Sequence, residues 1–179
     1  MATHFNISGE LTQQLLAPGD NVNVSKISLT NVQKVSKCKV DLYVEKKLTG
    51  RFYLLKGVEL PIGATLIYDD ATLNNAASEF GLYIKLTDGA TFTLTATGIN
   101  PAASKGLTSD GSGSTGTASG TAFLSEVSVG DEIVVSGETR TVSAVTADDA
   151  LVVTAAFTDT ANDTTPDCNP TALVDVIIS

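Results

Sequence analysis

Strict alternation of apolar and polar residues begins at Cys38. Cys38, Val40, Leu42 and Val44 fall on one face, and Lys39, Asp41, Tyr43 and Glu45 on the other. A period of two is the signature of a half-buried strand. Lys47-Leu48-Thr49-Gly50 predicts a turn, and Arg51 to Leu60 a second strand. Pro61-Ile62-Gly63 predicts a turn at a sheet rim, because proline cannot donate to a central ladder, and Ala64 to Tyr68 follows as a third strand. Phe80, Leu82, Ile84 and Leu86 alternate next, Thr87-Asp88-Gly89 turns, and Phe92, Leu94 and Ala96 alternate again. That pattern predicts a hairpin.

Upstream the pattern is weaker. His4 to Ile7 predicts a first edge strand, and Leu11 to Leu16 a helical turn or a loop. Val22 and Val24 share a parity that Ile27 and Leu29 do not, so a bulge near Ser25-Lys26 is needed to keep all four on the core side. LNNAAS (73–78) predicts a short helical turn inside a polar loop.

The run SKGLTSDGSGSTGTASGT (104–121) holds few apolar residues and reads as a flexible connector. From Ala122 onward, short apolar runs alternate with tight turns at Ser136–Thr139 and Ala147–Ala150, the pattern of a curled sheet or small barrel. Residues 161–170 read as polar linker. The closing TALVDVIIS (171–179) is apolar at both parities, as in a strand buried on two faces. Such a strand needs neighbours, so it returns to the sheet of the first hundred residues, beside Phe92–Ala96.

The fold class is therefore all-β. We expect an antiparallel β-sandwich of jelly-roll or Ig-like type from residues 1–100 and 171–179, a Gly/Ser/Thr-rich connector over 101–120, and an inserted small β-barrel-like module over 121–168.

Charge sharpens this division. Residues 1–100 balance nine basic against nine acidic residues, whereas 101–168 set Lys105 and Arg140 against ten acidic residues, a net of −8. The total of −9 argues against tracking along nucleic acid, which needs a basic stripe. The start, MATHFNISGE, lacks the basic and apolar regions of a signal peptide, and no run reaches the ~18 apolar residues of a membrane helix. Cys38 and Cys168 lack metal or redox spacing and read as two free, small hydrophobes, with a disulfide left open.

Candidate chemistry is sparse. A single histidine, His4, leaves Ser-His-Asp and Cys-His arrangements without material. Asp69 and Asp70 could serve glycosidic cleavage but read as a rim loop. Asp110-Gly-Ser-Gly lacks the later ligands of a calcium loop, and the glycines of GSGSTG do not open a helix as a phosphate cradle would. No enzyme, metal or cofactor is expected. A basic cluster, Lys34, Lys37, Lys39, Lys46, Lys47 and Arg51, reads either as the polar face of a hairpin or as a contact surface, with Lys46, Lys47 and Arg51 as the candidate contact residues.

Several stretches together resemble a known group. KISLTNV (26–32), VDLYVEK (40–46), FYLLKGVELPIGATLIYDD (52–70), FGLYIKL (80–86) and the closing VDVIIS resemble small β-sandwich virion structural proteins of tailed bacteriophages, marine cyanophages among them. GTAFLSEVSVGDEIVVSGETRTVSAV (120–145) resembles a small β module found inside phage structural proteins. The resemblance implies a non-enzymatic virion component, assembled in the host cytoplasm. Capsid decoration or cementing is the first expectation, and a neck, tail or fibre role or a carbohydrate- or receptor-binding module the alternatives. It implies other virion proteins and copies of itself as partners, without nucleic acid or membrane.

Overall fold

The computed structural model describes residues 2–46, 49–69, 73–74, 80–103, 105–108 and 116–179. The chain is all-β and divides into two compact units, Met1–Gly89 with Ala172–Ser179, and Ala90–Thr171. In chain order the first unit holds β1 (Thr3–Ser8), β2 (Thr12–Leu16), β3 (Asn23–Val24), β4 (Ile27–Asn31), β5 (Cys38–Lys46), β6 (Gly50–Leu60), β7 (Thr65–Tyr68), β8 (Leu73–Asn74) and β9 (Phe80–Thr87). The second holds β10 (Phe92–Thr93), β11 (Gly98–Asn100), β12 (Gly106–Thr108), β13 (Gly116–Ser119), the turn of helix α1 (Phe123–Glu126), β14 (Glu132–Val135), β15 (Glu138–Ala147), β16 (Ala150–Val153) and β17 (Asp167–Asn169). Strand β18 (Leu173–Ile178) returns to the first unit.

Two four-stranded antiparallel sheets build the first unit, in the orders β1-β18-β4-β7 and β2-β9-β5-β6, with β3 paired to β8. Ile7, Leu29, Val174, Val176 and Ile178 from one sheet and Leu16, Val40, Leu42, Ile84 and Leu86 from the other share a single apolar cluster. Each such side chain contributes about 1.5–3 kcal/mol by leaving water. The parity change before β4 falls at Ser25 and Lys26, whose N–H groups both donate to the Ser179 carbonyl, at 2.8 and 2.9 Å. Ser25 and Lys26 link β3 to β4, which lie in different sheets, and across this link Val24, Ile27 and Leu29 are all buried.

The β5–β6 hairpin forms as the alternation predicts. The Pro61-Ile62-Gly63 turn then carries the chain from one sheet to the other, and its return N–H, on Ala64, donates to the Pro61 carbonyl at 3.1 Å. Wholly buried Asn31 fastens this corner. Its amide donates to the carbonyls of Ser36 and Leu60, both at 3.0 Å, and its oxygen accepts from Gln33 N–H at 2.9 Å.

Three expectations fail here. Residues 12–16 form strand β2, not a helical turn or loop. The expected hairpin of 80–86 with 92–96 does not form, because β2 and β5 occupy both edges of β9 and leave no ladder for Phe92. Strand β18 lies between β1 and β4, not beside Phe92–Ala96, and it is buried on one face, with Ile177 40% exposed on the other. Part of the LNNAAS segment lies outside the described residues.

The second unit is one eight-stranded sheet, β10-β17-β14-β15-β16-β12-β13-β11. Ser136 and Gly137, both at positive φ (52° and 78°), make the two-residue turn that matches strand twist between β14 and β15. Ten-residue β15 shifts register twice against β16, the irregularity by which a strand bends. The two ends of the row approach each other, since only Leu94–Thr97 separates β10 from β11. Leu94 N–H donates to the Pro166 carbonyl at 2.7 Å, and Ile99 and Asp163 exchange both backbone bonds at 2.7 Å.

The boundaries therefore differ from those expected. The second unit begins at Ala90, not after 100, because β10 and β11 pair with β17 and β13. The segment 101–120 contributes β12 and β13, and 161–170 contributes β17. One fully buried side chain in each of the first two, Leu107 and Ala118, is enough because neighbouring strands supply the rest of that core.

Candidate contact surface

Because Val40 and Leu42 of β5 point into the core, Asp41, Tyr43 and Glu45 stand on the opposite, outward side of the β2-β9-β5-β6 sheet. Register then lines up Gln14, Tyr83, Tyr43 and Tyr53 as one row across all four strands. The Tyr43 and Tyr83 rings stack, with centroids 5.6 Å apart and 14° between planes, and Tyr53 tilts against Tyr43 at 5.4 Å. The Gln14 amide donates to the Tyr83 hydroxyl at 2.7 Å.

Two cations cap the row. The Arg51 guanidinium lies 4.9 Å from the Tyr43 ring centroid, and the Lys56 ammonium 4.5 Å from that of Tyr53. Arg51 Nε donates to a Glu45 carboxylate oxygen at 2.8 Å. That carboxylate, followed by Tyr43, holds the guanidinium above the usual arginine range. Roofed in this way, Tyr43 is only 1% exposed, and its hydroxyl is buried with no hydrogen-bond partner among the described residues. Tyr53 stays 40% exposed.

Gly81 makes room for the row. A Cβ there would meet Tyr83 Cε2 at 2.9 Å and the Leu16 carbonyl oxygen at 3.0 Å, so the tyrosine ring lies where a side chain would stand.

Among the three candidate contact residues, Arg51 belongs to this row. Lys46 is exposed at the end of β5, opposite Gly50, one position beyond the Glu45–Arg51 pair and so of opposite facing. Lys47 lies outside the described residues. Phe52, 53% exposed near the same hairpin tip, was not expected. The three tyrosines gathered here carried no visible grouping in sequence, because only register brings positions 43, 53 and 83 together. A signal did exist: each sits at a polar-face parity of its strand, where a tyrosine needs a neighbour.

Elsewhere the candidates stay apart. Asp69 is exposed, while Asp70, Asp110 and the glycines of 111–115 lie outside the described residues. No group of three or more His, Cys, Asp or Glu among the described residues is placed to hold a metal ion. Cys38 and Cys168 are both free and buried, each in the core of a different unit. Burial, reinforced by Asp88, pushes the Cys38 thiol up to about 11, and burial with Asp131 pushes that of Cys168 up to about 12. No described helix is long and apolar enough to cross a membrane.

No protein-family model matches the chain, and no curated protein matches it in sequence. Among solved structures, the chain is weakly similar to the PBSX exported protein XepA, at 9% identity and a TM-score of 0.29, over 100% of this chain and 86% of that one. A second weak likeness is to the structure of infectious bursal disease virus, Gx strain, at 9% identity and a TM-score of 0.26, over 99% of this chain and 41% of that one. At such scores neither likeness fixes a topology or a role.

Proposed function

We propose that this chain is a non-enzymatic structural protein of a phage particle, with its two-sheet, sandwich-like unit as the docking body. The observation that carries this reading is the outward row of Tyr83, Tyr43 and Tyr53 under Arg51 and Lys56. Tyrosine and arginine are the residues in which protein-contact energy concentrates, and stacking holds these rings in place before a partner arrives. The residues that resemble phage virion proteins support the same reading. A role in decorating or cementing the shell comes first, with a neck, tail or fibre position second.

The other virion proteins and further copies of this chain are the proposed partners. The test is the copy number of this protein in purified particles, by quantitative mass spectrometry. Hundreds of copies place it on the shell, and about 6 to 18 on the tail or neck. Absence from particles overturns the proposal.

A second reading draws on the same row. Half-exposed Tyr53 beside Lys56 offers an aromatic face with a hydrogen-bonding group, as carbohydrate contacts require. Binding of a glycan panel that is lost in Tyr53→Ala would favour this receptor-binding role.

A further inference from the structure

Four strands end the two sheets of the first unit, and three of them are guarded. Strand β6 shifts register twice against β5 and carries Arg51, Lys56 and Glu59. Strand β2 shifts between Gln14 and Leu16, and β7 is only four residues long. Bulges, charges and short length are the ordinary means by which a sheet edge is kept from pairing.

Strand β1 has none of them. It runs six residues, THFNIS, in unbroken register with β18, and contains no proline, lysine, arginine or carboxylate. Among the described residues, no strand pairs with its outer side. The direction of its free groups follows from the ladder. Gly9 N–H donates to the Ala172 carbonyl at 2.8 Å, so odd-numbered residues of this strand face β18. The N–H and C=O groups of His4, Asn6 and Ser8 therefore face away from the sheet.

We infer that β1 pairs antiparallel with β1 of a second copy of this chain, about a two-fold axis at Asn6. This register joins Asn6 to Asn6 and His4 to Ser8 of the other copy through their outward backbone groups. It sets Phe5 against Ile7 of the other copy on the core side, where apolar residues already lie. Two copies of the β1-β18-β4-β7 sheet become one eight-stranded sheet. A shallow groove of about 360 Å³ lies over the β1–β18 pair, lined by His4, Phe5, Asn6, Asp175, Val176 and Ile177. The pairing is self-complementary, which a two-fold contact requires. It stands whether or not the chain is a virion protein.

The test uses the full chain. Sedimentation at 1–200 µM (a range set to about the affinities of small interfaces) is expected to show a concentration-dependent monomer–dimer equilibrium. His4→Pro removes an outward N–H without touching the β1–β18 ladder, and His4→Lys with Asn6→Lys sets like charges across the axis. Each should weaken dimerisation at least tenfold, with melting behaviour showing that the fold is kept. Asn6→Cys should form a disulfide-linked dimer on mild oxidation, and Gln14→Cys, on another edge, should not. A chain that stays monomeric throughout, a dimer indifferent to both edge variants, or equal cross-linking at positions 6 and 14 overturns the inference.

Discussion

The Asp88 carboxylate accepts a hydrogen bond from the Ala172 backbone N–H at 2.6 Å. These residues stand at the two points where the chain leaves the first unit and re-enters it. The second unit has a matching arrangement: Thr91 Oγ donates to Asn169 Oδ1 at 2.6 Å, and Phe92 pairs with Cys168. Each unit thus holds its own cut ends side by side.

Replacing residues 90–171 with a short Gly-Ser turn is therefore expected to leave the first unit folded. Shortening a loop lowers its closure entropy by only ~0.6 kcal/mol per halving, so the melting temperature should stay level or rise slightly. Circular dichroism and a cooperative melt check this. Loss of soluble protein would show that the units share a core.

Deleting residues 172–179 should do the opposite. Strand β18 is central, so its loss removes Val174, Val176 and Ile178 from the core and bares the facing edges of β1 and β4. Two open edges beside an incomplete apolar layer favour aggregation. The truncated chain should appear in the insoluble fraction; a soluble form with a sharp melt would sink the idea.

Strands were legible in this sequence where apolar and polar residues alternate over several positions, and partners were not. The alternation from Cys38 to Val44 and the parity break at Ser25-Lys26 each encode a local fact, and both appear in the fold. Pairing depends on which edges remain free. The Asp88-Gly89 turn has the composition of a hairpin, yet β9 has no free edge left for Phe92. The Gly/Ser/Thr run misled for a related reason: composition reports how much core a segment brings, and Leu107 and Ala118 needed to bring only one side chain each. The tyrosine row was illegible because residues 43, 53 and 83 meet only through two registers at once.

The thiols provide separate reporters of the two cores. Cys38 and Cys168 have raised values of about 11 and about 12, so both stay protonated and shielded at pH 8. A disulfide-exchange reagent should label neither in the folded protein and both in denaturant. Cys38→Ala and Cys168→Ala variants then follow the opening of each unit alone. Rapid labelling of either thiol under native conditions would contradict its burial.

Glu138 gives the second unit an acid-sensitive tie. The Thr158 hydroxyl and N–H, the Asp159 N–H and Arg140 all bond its carboxylate, and these contacts, the Thr158 hydroxyl first, lower it from 4.5 to about 2. A carboxylate depressed on folding stabilises the protein above its unfolded value, and that contribution fades as pH falls toward the folded one. The melting-temperature gap between the native chain and Glu138→Gln should thus be constant above about pH 5. It should shrink between 4.5 and about 2. A gap that is flat across this window would show the tie to be unimportant.

The docking proposal rests on which face is touched, and the structure dictates which substitutions can ask that question cleanly. Arg51→Glu is a poor choice, because it would set a second carboxylate against Glu45 and unroof Tyr43. Tyr53→Ala is better: Tyr53 is the exposed end of the row and roofs only part of its neighbour. Lys46→Glu reverses the described charge at the hairpin tip without breaking the row. On the acidic unit, Asp148 accepts from Leu124 N–H at 3.1 Å, so Asp149→Asn is the cleaner neutralisation. If the first unit docks through this face, Tyr53→Ala should lower incorporation into particles at least tenfold, a loss of about 1.4 kcal/mol. Lys46→Glu should lower it less, and Asp149→Asn should leave it unchanged. Incorporation is read by mass spectrometry of purified particles, with melting curves confirming that each variant is folded. The reverse ranking would make the acidic unit the docking surface and turn the tyrosine row outward, toward solvent or a receptor.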